Sequence, residues 1–556
     1  MAETDVFSDI IHTSSDGIDL TNSIDTLFIA SGVTVAGENG HDGVHYDGAG
    51  SFAATIMGDV YGSLYGIDVA SGTAKIQVEQ TGSVTSMING GGFAIFLNQG
   101  GTVTNDGVIS GQGGALIIGT AMLENTGTIQ SCSDFVAPGK AVEIQNAGIT
   151  ASVVDNSGEV VGDFGISMFG SAATMVMNSG AVSGQYGGIS FSSPATDILN
   201  NSGTISSAVG NSLYVNAAVA EQGSGLLDLT NSGHIQSAAI GIYDYGTANM
   251  SVANTAGGVI SGNIGVWYNA PTAGATDTLE NDGTIRGKSV AVLENGTAAL
   301  SVVNGGVISS TGTTLQFNAA MGTVDALDNS GTIRTAATNG TAILENGAGY
   351  LDISNSGRIV GAIVFGANGG IYDGHNGHVT GPVVGTGAGA DVFKGGDGDE
   401  LFIGGSGKDT LKGGAGDDLL EGNAGADKLV GGTGSDEFFY GNYKDSYGAK
   451  THDTIVGLDA SEDTFHFDVA VTGVDAAITS GALNAATFTT DMQSLVSAAH
   501  LASHHAVEVT ATTGDLAGHT YLIVDHNHIA GYQSADYVIE LSGGTNLSSL
   551  SVDNFV

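Results

Sequence analysis

Between about residue 26 and residue 384, apolar and polar positions alternate in short runs separated by turns rich in Asn and Gly. One phrase, Asn-x-Gly-x-Ile, recurs as NDGVI (105–109), NTGTI (125–129), NSGEV (156–160), NSGAV (178–182), NSGTI (201–205), NSGHI (231–235), NDGTI (281–285), NSGTI (329–333), NSGRI (355–359) and NGHV (376–379). Looser copies, NTAGGVI (254–260) and NGGVI (304–308), fill gaps, and spacing is mostly 20 to 30 residues. A second strand phrase lies between copies: AIFLNQGGTV, VAVLENGTAALSV, AILENGAGYLDI. Alternation of period two marks strands, and Asn-Gly turns join them. Strand, turn, strand, turn at this repeat length predicts a parallel β-helix, with Ile, Val and Leu stacked inside and Asn stacked as a hydrogen-bonded ladder at one turn. A string of β-sandwich domains would need a period near ~100 residues, and none is visible. The best helical pattern is 490–503, TDMQSLVSAAHLAS, where Met492, Leu495, Val496 and Ala499 share a face.

From Thr386 to Phe439 the period shortens to nine: TGAGADVFK, GGDGDELFI, GGSGKDTLK, GGAGDDLLE, GNAGADKLV, GGTGSDEFF. Glycine fills the fourth position (Gly389, Gly398, Gly407, Gly416, Gly425, Gly434) and most second positions (Gly387, Gly396, Gly405, Gly414, Gly432), with Asn423 the exception. An acid fills the sixth: Asp391, Glu400, Asp409, Asp418, Asp427, Asp436. The second repeat carries two further acids, Asp397 and Asp399. A large apolar residue fills the eighth: Phe393, Phe402, Leu411, Leu420, Leu429, Phe438.

These residues resemble the repeats-in-toxin (RTX) nonapeptide, G-G-x-G-x-D-x-U-x, which implies a calcium-binding parallel β-roll. Each nonapeptide is a tight turn followed by a short strand, and the glycines leave backbone carbonyls open around the turn. Two nonapeptides make a coil, so loops n and n+2 stack. An ion between stacked loops would meet carbonyls and carboxylates, an all-oxygen shell that suits Ca²⁺. The acids and glycines named above are the expected ligands, for several ions. Glu400, one methylene longer than Asp, is expected to shift or lose its site. Thr386 in place of the first glycine is a second departure.

The segment after His452 resembles the C-terminal domain of RTX proteins exported by type I secretion. The likeness rests on DTIVGLDASEDTFHFD (453–468), HTYLIVDHNHIAGYQSADYVIELSG (519–543) and the ending LSSLSVDNFV. It implies an uncleaved C-terminal export signal and a type I secretion apparatus as partner. The opening MAETDVFSDIIHTSSDG lacks the basic and apolar regions of a cleaved signal peptide. At the low free calcium of a cytoplasm the loops would stay empty and threadable, and outside they would fill and fold.

Charge narrows the partners. The 556 residues hold 57 acids against 12 bases, a net charge of −45, which opposes binding to nucleic acid or an anionic membrane. With 41% apolar residues the chain is a folded acidic protein. No apolar run is long enough to span a membrane, so no membrane insertion is expected. The single Cys132 cannot form an internal disulfide, leaving calcium as the staple.

Other chemistry is sparse. His41, Asp42, His45 and Asp47 could bind a metal, but their spacing is irregular. Tyr243, Asp244 and Tyr245, and the stretch Tyr372–His378, are the local acid–base clusters of the β-helix region. His500, His504, His505, His526 and His528 lie in a stretch, 451–556, without Lys or Arg. All read more simply as polar turns or solvated positions. No H-E-x-x-H motif occurs.

The resulting expectation is an all-β chain: an N-terminal cap (1–25), a right-handed parallel β-helix (26–384), a calcium β-roll (385–445) and a mostly β C-terminal capping and secretion domain (446–556). The expected function is a secreted, calcium-dependent structural protein of a Gram-negative cell surface, of S-layer or matrix type. Its expected partners are itself and, through Ca²⁺, cell-surface polysaccharide. A calcium-dependent adhesin is the alternative. A β-helix polysaccharide epimerase or lyase with an RTX module is the second, with Tyr243, Asp244, Tyr372 and His375 as its candidate residues.

Overall fold

A computed structural model describes the chain except residues 1, 22–23, 88–91, 133–137, 209–215, 270–275, 319 and 375. It is nearly all-β and divides into two compact units, Met1–Ser301 with Gly306–Ser310, and Val302–Gly305 with Thr311–Val556.

The first unit is a parallel β-helix whose register follows the period-two pattern. Thr73–Val78, for example, alternates exposed and buried positions. Parallel pairing places each inward side chain over its counterpart one coil away. Val103, Leu123, Val154, Val176, Leu199, Leu229, Val252 and Leu279 form one such column, each at most 1% exposed. The Ile or Val that closes each Asn-x-Gly-x-Ile phrase forms a second, from Ile109 and Ile129 to Ile285 and Ile308.

The expected asparagine ladder is present. Asn105, Asn125, Asn156, Asn178, Asn201, Asn231, Asn254 and Asn281 are buried, and each Nδ2 donates to the Oδ1 of the next at 2.7–2.8 Å. The Asn backbone carbonyl accepts from the next turn, as Asn156 does from Ser179 and Gly180 at 2.8 and 3.0 Å. Glycine stands two residues after each of these Asn but Asn254, where Ala256 does, because turns touch: a Cβ on Gly180 would lie 2.1 Å from the Gly158 carbonyl. An amide is both donor and acceptor, so a stack of amides satisfies itself without solvent.

The second unit begins with the same device. Asn304 donates to Asn329 and Asn329 to Asn355, at 2.7 and 2.8 Å, and Tyr372 then takes the ladder's place. The coils run into the nonapeptides without a break. One inward column is Ile353, Tyr372, Phe393, Leu411, Leu429, Ile455 and Leu541. Another is Ile363, Val383, Phe402, Leu420, Phe438 and Phe465. All six eighth-position residues are fully buried. An antiparallel sheet of His505–Thr510, Thr520–Val524 and Tyr537–Ser542 follows, its last strand pairing in parallel with Asp453–Val456.

The helix is shorter than its pattern, Phe488–Leu495. Met492 and Val496 are buried and Leu495 packs against the same core, but Ala499 is exposed. Ser497 Oγ accepts from Ala499 N–H and His500 Nδ1 bonds the Leu495 carbonyl, so local side-chain bonds replace the next helical turn. Among the described residues no helix is long and apolar enough to cross a membrane.

Candidate metal centre

Loops n and n+2 stack, because strands eighteen residues apart pair in register: Val392 with Thr410 and Lys428, Leu401 with Leu419 and Glu437. The sixth-position acids therefore form two axial columns. In one, Gly370 N–H donates to Asp391, Asp391 N–H to Asp409, Asp409 N–H to Asp427 and Asp427 N–H to Asp453, at 2.7–2.9 Å. In the other, Glu400 N–H donates to Asp418, Asp418 N–H to Asp436 and Asp436 N–H to Asp463, at 2.8–3.1 Å.

Each aspartate of the columns spends Oδ1 on this bond. The other oxygen, Oδ2 of Asp391, Asp409, Asp418, Asp427, Asp436 and Asp453, is buried with no hydrogen-bond partner. It lies against the glycine that opens the repeat: a Cβ on Gly413 would be 2.0 Å from Asp418 Oδ2, and one on Gly431 2.1 Å from Asp436 Oδ2. In the first repeat Thr386 holds that position, and Asp391 packs on Gly385 instead. At the second position Gly414 and Gly432 have φ of +125° and +133°. Asn423 stands there at +64°, a left-handed conformation that Asn tolerates.

Burial disfavours these charges. It pushes Asp391 up to about 7, with the Asp409 charge adding to it, and Glu400 up to about 7. Asp409 and Asp436 rise to about 6, again chiefly from burial, and Asp453 rises well above the ordinary range. A buried anionic oxygen without a partner is costly unless a cation meets it. The donors are all oxygen, so the residues fit calcium. The sixth-position acids and the carbonyls of the loop glycines would hold it, and it would supply the positive charge the columns lack.

The other expected ligands are placed differently. Asp397 and Asp399 are exposed. Asp399 accepts from Asp417 N–H and Asp417 from Ser435 N–H, at 2.9 and 2.8 Å, an outer ladder on the loop surface. Glu400 stays in the inner column, its Oε2 reaching back to Gly396 N–H at 3.1 Å. Sequence reasoning missed Asp417, Asp453 and Asp463. The signal for the last two was Asp-Thr followed by an apolar residue (Asp453–Ile455, Asp463–Phe465), which repeats Asp409–Leu411.

The remaining clusters are ion-paired or hydrogen-bonded. His45 Nδ1 lies 2.9 Å from Asp68 and 3.5 Å from Asp42, and their bonds push it up to about 10, making it an imidazolium. His41 faces Asp16 at 3.5 Å, and Asp47 is exposed. In the C-terminal region His505 pairs with Asp475 at 3.0 Å and His526 with Asp468 at 3.5 Å. His504 and His528 stack at 4.0 Å beside Asp525, and His500 bonds backbone. Tyr372 is buried in the core, and His375 lies outside the described residues.

The RTX calcium-binding nonapeptide repeat matches in four copies, over residues 386–411 and 403–438. Among solved structures, the chain is similar to a subunit (AlgE6R3) of the Azotobacter vinelandii mannuronan C5-epimerase, with 28% identity over 30% of this chain and 77% of that one. The TM-score is 0.20, too low to bear on fold or activity. No curated protein matches the chain. Sequence match and stacked acid columns coincide, and residues 386–438 are RTX calcium-binding nonapeptide repeats set on a parallel β-helix.

Proposed function

We propose that this chain is a secreted, calcium-dependent structural protein of a Gram-negative cell surface, of S-layer or matrix type, that folds and self-assembles on meeting Ca²⁺ outside the cell. One observation carries the reading: the carboxylates with unpartnered oxygens lie inside the solenoid and reach Asp453 in the C-terminal domain. Calcium there is part of the core, so its binding energy is folding energy. RTX repeats are typical of secreted extracellular proteins, and a type I apparatus would export the chain while the columns still repel one another. With a net charge of −45, neighbouring molecules repel unless divalent ions bridge them. The same bridging would attach the array to surface polysaccharide.

Negative-stain electron microscopy of the purified chain, in millimolar calcium and then in chelator, tests this. Ordered sheets or filaments that dissolve on chelation are expected. Isolated particles in both conditions would overturn self-assembly and turn attention to an adhesin.

A further inference from the structure

The first unit carries carboxylates like those of the roll, outside the nonapeptides. Glu221 and Asp244 end strands Ala217–Glu221 and Ile240–Asp244 and face each other in register on adjacent coils. They are 1% and 0% exposed. Each uses one oxygen on the backbone N–H two residues on: Glu221 Oε1 accepts from Gly223 at 2.6 Å and Asp244 Oδ1 from Gly246 at 3.0 Å. The second oxygens, Glu221 Oε2 and Asp244 Oδ2, are buried with no partner. Two more buried acids flank them: Asp197 bears on Glu221, and Asp277 on Asp244, through charge.

Bonding and backbone both parallel the calcium loops. Asp277 Oδ1 accepts from Met250 N–H one coil below at 2.8 Å, as Asp409 does from Asp391. The turn after Glu221 is glycine-rich and tightly stacked: a Cβ on Gly223 would lie 2.2 Å from the Ser193 carbonyl, as one on Gly407 would lie 2.0 Å from that of Gly389. Carbonyls of the stacked turns and the two free carboxylate oxygens make an all-oxygen donor set. We infer that the corner where Glu221 and Asp244 stack is a calcium site built into the β-helix, independent of the nonapeptide repeats. Burial pushes Glu221 up to about 8 and Asp244 to about 7, so without a cation the anionic forms are disfavoured. In the second unit Glu345 shows the same bonding as a single acid, stacked on Phe317: its Oε1 accepts from Gly347 N–H at 2.8 Å and its Oε2 is buried without a partner.

The chain's single tryptophan reports on this corner. Trp267 pairs in register with Tyr243, the neighbour of Asp244, with ring centroids 4.8 Å apart. Terbium is the probe, added to the full chain and excited where only tryptophan absorbs. Sensitised terbium emission that calcium displaces is expected. Glu221→Gln with Asp244→Asn should abolish it and remove one bound calcium per chain by calorimetry, leaving the roll's ions in place. Trp267→Phe should abolish the emission with no change in calcium count, a control that needs neither acid replaced. Absence of tryptophan-sensitised emission in the unaltered chain would overturn the site. So would a folded double variant, by circular dichroism, that keeps the emission or the calcium count.

Discussion

The asparagine ladder and the acid columns are the same architectural device made from different chemistry. In both, a side chain at a turn points inward once per coil and bonds the coil beside it. Asn201 accepts from Asn178 and donates to Asn231, so the stack closes on itself. Asp418 accepts from Glu400 N–H and has nothing to give, so its second oxygen is left over. Exchanging amide for carboxylate turns a self-sufficient solenoid into one completed by a cation.

The largest expected effect is that of chelation. Calorimetry of the full chain in excess chelator should show a transition from the nonapeptide region far below its calcium-loaded position, while the asparagine-laddered coils, which lose only the one ion inferred at Glu221 and Asp244, shift far less. A single transition that shifts as a whole would break the comparison. Next comes Asp418→Asn, which removes one carboxylate from the column of Glu400, Asp418 and Asp436; the calcium midpoint for folding should rise roughly tenfold or more, about 1.4 kcal/mol or more.

Asn178→Ala leaves its neighbours in the ladder with unmet groups. It should cost about 1–3 kcal/mol in denaturant melts, equally with and without calcium. Acidification acts on the acid columns and not on the ladder. The column acids Asp391, Asp409 and Asp436 have folded values raised to about 6–7 from an ordinary 3.8, so the stability this contributes to the calcium-free roll is full below about 4 and is lost as pH rises through 6–7. The roll in chelator should therefore melt higher at pH 5 than at pH 8, while its calcium affinity falls over the same interval. The asparagine ladder does not titrate. Smallest is Glu400→Asp, which restores the shorter acid of its column and should modestly lower the calcium midpoint.

Much of this was legible in the residue pattern. Asn-x-Gly-x-Ile marked both the ladder and the inward Ile column because the turn keeps one length in nearly every coil, NTAGGVI (254–260) being two residues longer. The eighth-position apolar residues marked the roll's core for the same reason. Asp453 and Asp463 escaped because an insertion separates them from Asp427 and Asp436 by 26 and 27 residues, where the repeats step by 18. Glu221 and Asp244 meet only through pairing of strands 23 residues apart, in a helix whose coils vary in length. Local sequence marks Asp244 with its flanking tyrosines but does not reveal its partner on the adjacent coil. The end of the helix at Leu495 was set by Ser497 and His500 bonding backbone, which apolar periodicity does not register.

The central claim is that calcium completes the acid columns and leaves the amide ladder untouched. Peptide-resolved hydrogen exchange of the full chain, with calcium and then with chelator, tests it directly. Strands Val392–Lys394, Thr410–Ala415 and Lys428–Thr433 should lose protection on chelation while Gly101–Asn105 and Ala121–Asn125 keep theirs. Protection that persists in the nonapeptide strands without calcium, or that vanishes equally from both sets, would contradict it.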